Sequence, residues 1–308
     1  MQNLTAGDGD RGPEFGRNGE LPLDLGCPVW ACDSWADIVY PPKTPRSAYL
    51  QWYAKSFNSV EGNSTFWAIP SPRQTALWAA SVGPDFRFAL KFPRVITHDA
   101  RLRDCQSSLA AFIDAAKPLA ERGCLGTCFI QLPPTLAVDE LPLLQRLCDP
   151  LPDWMPIAVE PRHASFYDQA AGEAALDRWL RDLRYDRVLF DSRPLYSLPA
   201  RTDCERVSQT RKPRTPLRQT VTGRSPFLRL IGRDDPEEVE RFLAEWSEPI
   251  AKWVDQGLRP VVFVHAPNDR NAPQLVRQLW RNHLAPRLGH PIAELPTLPA
   301  RPPQLSWF

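Results

Sequence analysis

The chain has 308 residues, with 37 Lys+Arg against 36 Asp+Glu and a formal net charge of +1, so as a whole it is neither a polyanion binder nor an acidic chain. Hydrophobic residues make up 43% and charged residues 24%, enough to bury a full core, which excludes global disorder. No apolar run approaches the length of a membrane-spanning helix, about 18 residues, and no membrane partner is expected.

Residues 1–25 are polar, carry Gly7, Gly9, Gly12, Gly16 and Gly19, and lack the apolar stretch of a secretory signal; they are predicted to be disordered. From there, short β-branched or aromatic runs alternate with helical patterns. The predicted strands are 28–32, 59–63, 86–92, 126–132, 156–160, 187–191, 227–231 and 261–265. Their apolar character is nearly continuous, as in Val261-Val262-Phe263-Val264, which suits parallel strands buried on both faces. Thr44 with Pro45 predicts a helix start ahead of Tyr49, Tyr53 and Phe57, and Ser71-Pro72 repeats the device. Helices are also predicted over 103–122, 139–148, 172–183 and 271–284. Asp235-Pro236 opens the clearest one, with Val239, Phe242, Leu243, Trp246, Ile250, Trp253 and Val254 in one stripe.

Eight strands, each followed by a helix or a long connection, predict an α/β fold, a single (β/α)8 TIM-type barrel over 26–288, near the roughly 250 residues usual for it. A doubly wound open sheet is the alternative, but no G-x-G-x-x-G follows the first strand. One connection, 192–225, shows no amphipathic helix and carries eight basic and two acidic side chains, a local charge of +6. It reads either as a mobile, solvated insertion or as an electrostatic collar that draws anions to the barrel mouth. Residues 289–308 form a Pro-rich tail. Seven Cys, an odd number, argue for reduced thiols and a cytoplasmic location. Cys27, Cys32, Cys124 and Cys128 lack zinc-ligand spacing with nearby His and read as buried small hydrophobes.

In such barrels chemistry sits at the C-terminal ends of the strands. That rule selects Glu61 and Asn63 after strand two, Lys91, Arg94 and His98 after strand three, and Gln131 after strand four. It also selects Glu160, Arg162 and His163 after strand five, Asp191 on six, Arg229 on seven, and His265, Asn268 and Asp269 after eight. A charge above a barrel core is costly unless it is paired or functional. One reading is therefore a ring of salt bridges closing the barrel, such as Lys91 with Glu61 or Arg229 with Glu160. The other is a ligand site: arginine forks suit phosphate or carboxylate, and two carboxylates suit acid/base work. A single divalent metal on Glu61, Glu160, Asp191 and His265 is a further alternative, against which the neighbouring cations compete. Trp30, Trp35, Tyr40, Phe66 and Trp67 are either core or a stacking wall for a sugar or base.

Several strand-end motifs have a family look. Val60-Glu61-Gly62-Asn63-Ser64-Thr65-Phe66-Trp67, with Pro70, resembles V-E-x-N-S-T-F-Y…P. Residues 86–98 resemble F-x-F-x-x-K-x-P-x-x-I-T-H, residues 131–134 read Q-L-P-P, and 158–163 resemble A-V-E-x-R-H. These motifs are similar to those of the YecE-like proteins, the family called domain of unknown function 72. The resemblance implies a TIM-type barrel whose pocket is built by Glu61, Asn63, Lys91, His98, Gln131, Glu160, Arg162 and His163. It implies no activity, although the barrel's outline is similar to sugar isomerases and abasic-site endonucleases. The chain departs from the pattern at Ala31-Cys32-Asp33-Ser34, Pro161, Ile231 and Pro267-Asn268-Asp269.

The leading expectation is an enzyme, an isomerase or lyase or a phosphate-ester hydrolase, acting on a small phosphorylated or carboxylated polyol or sugar. Glu160 or Glu61 is the expected base, His163 or His98 the proton shuttle, and Lys91 and Arg162 the anion holders, with Asn63, Arg94, Gln131, Asp191, Arg229, His265 and Asn268 around them. Lys91 as a Schiff-base nucleophile is a subsidiary idea. A nucleic-acid-binding or repair protein and a non-catalytic ligand sensor are the alternatives.

Overall fold

The computed structural model describes residues 21–290. The apolar runs form β1 (Asp24–Cys27), β2 (Ser59–Gly62), β3 (Arg87–Leu90), β4 (Cys128–Gln131), β5 (Ile157–Glu160), β6 (Asp186–Asp191), β7 (Phe227–Ile231) and β8 (Val261–His265). All seven ladders are parallel, in the order β3-β2-β1-β8-β7-β6-β5-β4. The ends of that order meet through bridges Phe88↔Leu125 and Lys91↔Phe129. There Phe88 N donates to Cys124 O at 2.8 Å and Phe92 N to Phe129 O at 2.9 Å. The result is the expected (β/α)8 barrel.

The first strand lies earlier than the sequence predicts. Leu21, Leu23, Leu25 and Cys27 alternate into the outer core, and Pro28, with no N–H to give a ladder, ends the pairing. Residues 28–32 are loop. The segment expected to be disordered lies outside the described residues up to residue 20, while residues 21–25 belong to the barrel. The Pro-rich tail beyond residue 290 is likewise outside the described residues.

Two layers make the core. Ala89, Phe129, Ala158, Val188, Phe227, Val261 and Phe263 fill the barrel interior, with Phe227 edge-on to Phe129 and Phe263 at centroid distances of 5.2 and 5.5 Å. Their strand neighbours, among them Phe88, Leu90, Ile130, Val159, Leu228 and Val264, face outward against the helices. The helix Glu240–Asp255 buries Phe242, Leu243, Trp246, Ile250 and Trp253 as its stripe predicts. Ser71 caps Pro72–Ala80 by accepting from Gln74 N. Thr44 is not a cap: its hydroxyl donates to Pro41 O at 2.8 Å, and Pro45 precedes a short turn, Arg46–Ala48, that leads into Tyr49–Ser56.

The 192–225 connection contains the short helix Arg193–Tyr196 and the helix Asp203–Arg211 and is anchored to the barrel, while many of its side chains stay exposed. Their polar composition hides them from a periodicity search. Arg233, just after β7 and fully buried, pins the segment: it pairs with Glu205 at 2.8 Å and donates to Leu198 O and Pro199 O at 2.9 and 3.0 Å. Arg218 ties the far end to Glu173 at 2.6 Å and to Tyr167 O at 2.9 Å. Four of its eight basic residues, Arg193, Arg201, Arg206 and Arg218, sit in ion pairs.

Gly26 marks the closest strand approach. A Cβ there would meet Ser59 O at 1.9 Å and Tyr53 Oη at 2.8 Å, where Tyr53 Oη donates to Ser59 O and accepts from Cys27 N. Gly26→Ala is expected to lower stability by about 1–3 kcal/mol or more, read as a lower urea midpoint. Gly83→Ala, with nothing within 4 Å of the new methyl, is the control and leaves the midpoint unchanged or slightly raised. Equal midpoints for both variants contradict this packing.

Candidate functional site

The strand pleat explains how a polar site rests on an apolar barrel. Side chains alternate in and out along each strand, so the inward residues two steps beyond the interior layer form the next layer up. Beyond Ala89, Phe129, Ala158 and Phe263 come Lys91, Gln131, Glu160 and His265, and beyond Phe227 comes Arg229. Glu61, opposite Ala89 in register, points the same way.

Arg229 is the centre of this layer. Its Nε and Nη2 donate to Glu61 Oε2 and Oε1 at 2.9 and 2.7 Å, and its Nη1 donates to Glu160 Oε2 at 2.5 Å. Arg162 pairs with the other Glu160 oxygen and reaches Gln131 Oε1 at 3.3 Å. His265 Nε2 lies 3.1 Å from Glu61 Oε2, and Asn63 Nδ2 donates to Glu61 Oε1 at 2.7 Å. Both carboxylates are fully buried. Burial alone would raise the Glu61 carboxyl, but Arg229 and His265 outweigh it and hold it well below the usual range. Burial also works against Glu160, yet Arg162, Arg229 and Lys91 bring it down to about 2. Burial, only partly opposed by Glu61, lowers His265 to about 4, so the ring is neutral at pH 7. The salt-bridge reading holds for Arg229 with Glu160 and also with Glu61. It does not hold for Lys91, which makes no ion pair.

Above this layer lies a cavity of about 490 Å³ whose walls include Asn63, Phe66, Trp67, Lys91, Gln131, Arg162, Arg211, Lys212, Arg229, His265 and Asp269. Glu61 and Glu160 are not among its lining residues; they lie behind Arg229 and Arg162. Lys91 is 8% exposed, with Nζ 4.0 Å from the Phe66 ring centroid. Burial, then Arg229, lowers it to about 7. Lys212 caps the C-terminal end of Asp203–Arg211, where the helix dipole favours a cation. Burial, then Arg229 and Arg162, brings it to about 8. Burial raises Asp269 to about 6, opposed by Lys212.

Several expected site residues lie elsewhere. Asp191 falls on the outward step of β6, where it binds Arg193 and accepts from Trp246 Nε1 at 2.8 Å. His163 caps the turn Ala164–Phe166 by accepting from Ser165 N. Asn268 accepts from Arg270 N. Arg94 is exposed and pairs with Asp99 at 3.0 Å. His98 sits behind Phe66, edge-on at 5.1 Å, and burial and then Lys91 lower it to about 4. The four groups of the divalent-metal alternative do not converge, because Asp191 faces away and Glu61 and Glu160 are held by arginines. Among the described residues no three His, Cys, Asp or Glu side chains gather as a metal set. Trp35 and Tyr40 are core and Trp30 packs on Trp78 at 5.0 Å, which leaves Phe66 and Trp67 as the aromatic wall. Cys27, Cys124 and Cys128 are buried as expected, but Cys32 is only half-buried. Lys212 and Arg211 were visible in the sequence only as members of a basic segment; two of its eight cations line the cavity.

A family model described as "Protein of unknown function DUF72" matches residues 24–300. The chain belongs to the DUF72 family. UPF0759 protein YecE of Escherichia coli K12 is 34% identical over 284 residues, covering 92% of this chain and 99% of that protein. UPF0759 protein YunF of Bacillus subtilis is 27% identical over 157 residues, 48% of this chain and 56% of that one. Among solved structures, DUF72 proteins from Enterococcus faecalis and Thermotoga maritima each superpose with a TM-score of 0.60. They are 21% and 22% identical and cover 78% and 83% of this chain and 94% and 98% of theirs; at that identity they speak for the fold alone. No helix among the described residues is long and apolar enough to cross a membrane.

Removing the central cation strands two buried carboxylates. Arg229→Met is expected to cost about 3–5 kcal/mol, while Glu61→Gln/Glu160→Gln/Arg229→Met recovers most of it. Glu160, held below its unfolded value of about 4.3, contributes stability that is present above that pH and is lost as pH falls toward 2. Urea unfolding at pH 7 and pH 3 checks both, and a gap between wild type and Arg229→Met that does not narrow at pH 3 contradicts the assignment.

Proposed function

We propose that the DUF72 barrel studied here is an enzyme that binds a small dianionic ligand, such as a phosphorylated or carboxylated polyol or sugar, in the cavity above Arg229. One observation carries the reading: the charge of the cavity is not balanced from within. Lys91, Arg162, Arg211, Lys212 and Arg229 line it, against Asp269 on its wall and Glu61 and Glu160 beneath. With every group ionised, five cations against three carboxylates leave an excess of two, and Lys91 and Lys212 have no ion pair among the described residues. A phosphate monoester supplies that charge, and desolvated arginine and lysine donors suit it.

Acid/base work by Glu61 or Glu160 is not what this arrangement favours, since both are saturated by arginine and strongly ionised. Asp269, which reaches the cavity and sits at about 6, is the better placed acid or base. Trp67, 72% exposed beside the cavity with Arg94 5.9 Å from its ring, supports a second reading in which a nucleobase stacks there. Steeply salt-dependent binding of single-stranded or abasic DNA is its signature. Turnover of the bound ligand separates the enzyme from a sensor.

The charge states give the first reading a sign. Below about pH 7 Lys91 is an ammonium, and above it a neutral amine unless an anion restores the proton. Binding of sulfate, a dianion that does not itself titrate in this range, is expected to take up protons between pH 7 and 9. Its affinity should weaken by up to about tenfold per pH unit. Calorimetry in buffers of different ionisation enthalpy measures the uptake. The dependence should flatten in Lys91→Met, and affinity should drop in Arg162→Ala. Sulfate binding that is absent, or that is indifferent to pH and to both substitutions, removes the reading.

A further inference from the structure

We propose that Lys91 forms an imine with its substrate, so that the ligand class is a phosphorylated or carboxylated aldehyde or ketone. The inference rests on the anion-binding reading and adds to it the group the cavity acts on. Three features of Lys91 carry it. Its side chain follows β3 on the inward step and reaches the cavity wall. Its Nζ lies over the face of Phe66 and has no carboxylate partner, although Glu61 and Glu160 are in the same layer, because those are held by Arg229 and Arg162. The remaining cationic groups of the cavity, Arg162, Arg211, Lys212 and Arg229, supply the anion contacts without it. A buried lysine with no carboxylate partner is placed as a nucleophile, and burial, with the positive neighbours that repel its proton, favours the free amine.

The step balances with groups on the cavity wall. The neutral Nζ adds to the carbonyl carbon, and an N–H proton moves to the former carbonyl oxygen. The Asp269 carboxyl then gives a proton, the oxygen leaves as water, and a C=N⁺ bond to Nζ replaces C=O. No electrons are exchanged with a third party, and the positive iminium and the Asp269 carboxylate are left. The iminium can then withdraw electrons from an adjacent C–H or C–C bond, the chemistry of isomerases and lyases.

The chain contains only six lysines, Lys43, Lys55, Lys91, Lys117, Lys212 and Lys252, so trapping reports on each. The full chain is incubated at pH 7.5 with glyoxylate or with glycolaldehyde phosphate and sodium cyanoborohydride, which reduces an iminium to a stable secondary amine. Peptide mass spectrometry then locates the adduct. Expected is about one adduct per chain, on Lys91, formed at least about tenfold faster than on Lys43, Lys117 or Lys252, slowed by sulfate, and lost in Lys91→Arg with the other five lysines unchanged. Label spread evenly, or concentrated on Lys212, overturns the imine. If sulfate still binds in that case with its Arg162 dependence, the anion reading survives alone. Sulfate-insensitive labelling of Lys91 leaves the imine and removes the anion reading. The wild-type pattern decides the matter even if Lys91→Arg does not fold.

Discussion

Two carboxylates with no access to water share one guanidinium at the top of this barrel, and the rest of the site is arranged around that fact. Arg229 on β7 binds Glu61 on β2 and Glu160 on β5. Through them it organises His265 on β8, Asn63 beyond β2, Arg162 beyond β5 and Gln131 on β4. Buried ion pairs are poor stabilisers beside apolar packing of the same volume. A barrel that needed only a plug could have continued the Ala89, Phe129 and Ala158 layer upward. What the network provides instead is a polar floor whose donors are held at fixed positions before any ligand arrives, the arrangement that makes electrostatic contacts effective. Because Arg162 and Arg229 already have carboxylate partners, their charge is local and oriented; the long-range surplus belongs to Lys91, Lys212 and Arg211.

That division of labour separates the two kinds of cation. The arginines stay charged in every state of the protein, since Glu61 and Glu160 compensate them. Lys91 and Lys212 have no such partner among the described residues, and burial together with their positive neighbours lowers Lys91 to about 7 and Lys212 to about 8. Near pH 7 Lys91 is therefore divided between ammonium and free amine at the cavity wall, flanked by fixed positive charge. An anion and an electrophile presented on one small molecule match both halves of that description.

Much of this was legible from the residues because the barrel imposes parity on its strands. A polar residue two steps beyond an inward apolar one must emerge at the mouth, and Lys91, Gln131, Glu160, Arg229 and His265 all obey. Asp191 misleads because it is offset by one: Val188 and Phe190 take the inward steps of β6, which turns Asp191 to the outer helix and Trp246. His163 and Asn268 lie past the strand ends, where a short polar side chain satisfies its own turn before it reaches a ligand. The first strand was misplaced because Pro28–Trp30 look as apolar as Leu21–Leu25 and each stretch carries a proline; Pro22 precedes the ladder, whereas Pro28 ends it. Lys212 was hidden for a different reason: Asp203–Arg211 buries only Glu205 and Ser208, so it has no apolar period to read, and its place depends on Arg233 in another element.

The anchoring of that helix has a consequence for how the family can vary. Val207, Ser208, Arg211 and Lys212, all in or just after one short helix, supply a wall of the cavity. The helix is bolted to the barrel by Arg233, four residues beyond Arg229, through Glu205 and the main-chain carbonyls of Leu198 and Pro199 ahead of it. Wall and floor thus hang from one strand, β7, but are made by different segments of the chain. Substitutions along 207–212 would reshape that wall while the bonds among Glu61, Arg229 and Glu160 keep their form, so under the proposed reading relatives would share the polar floor and differ in what they accept.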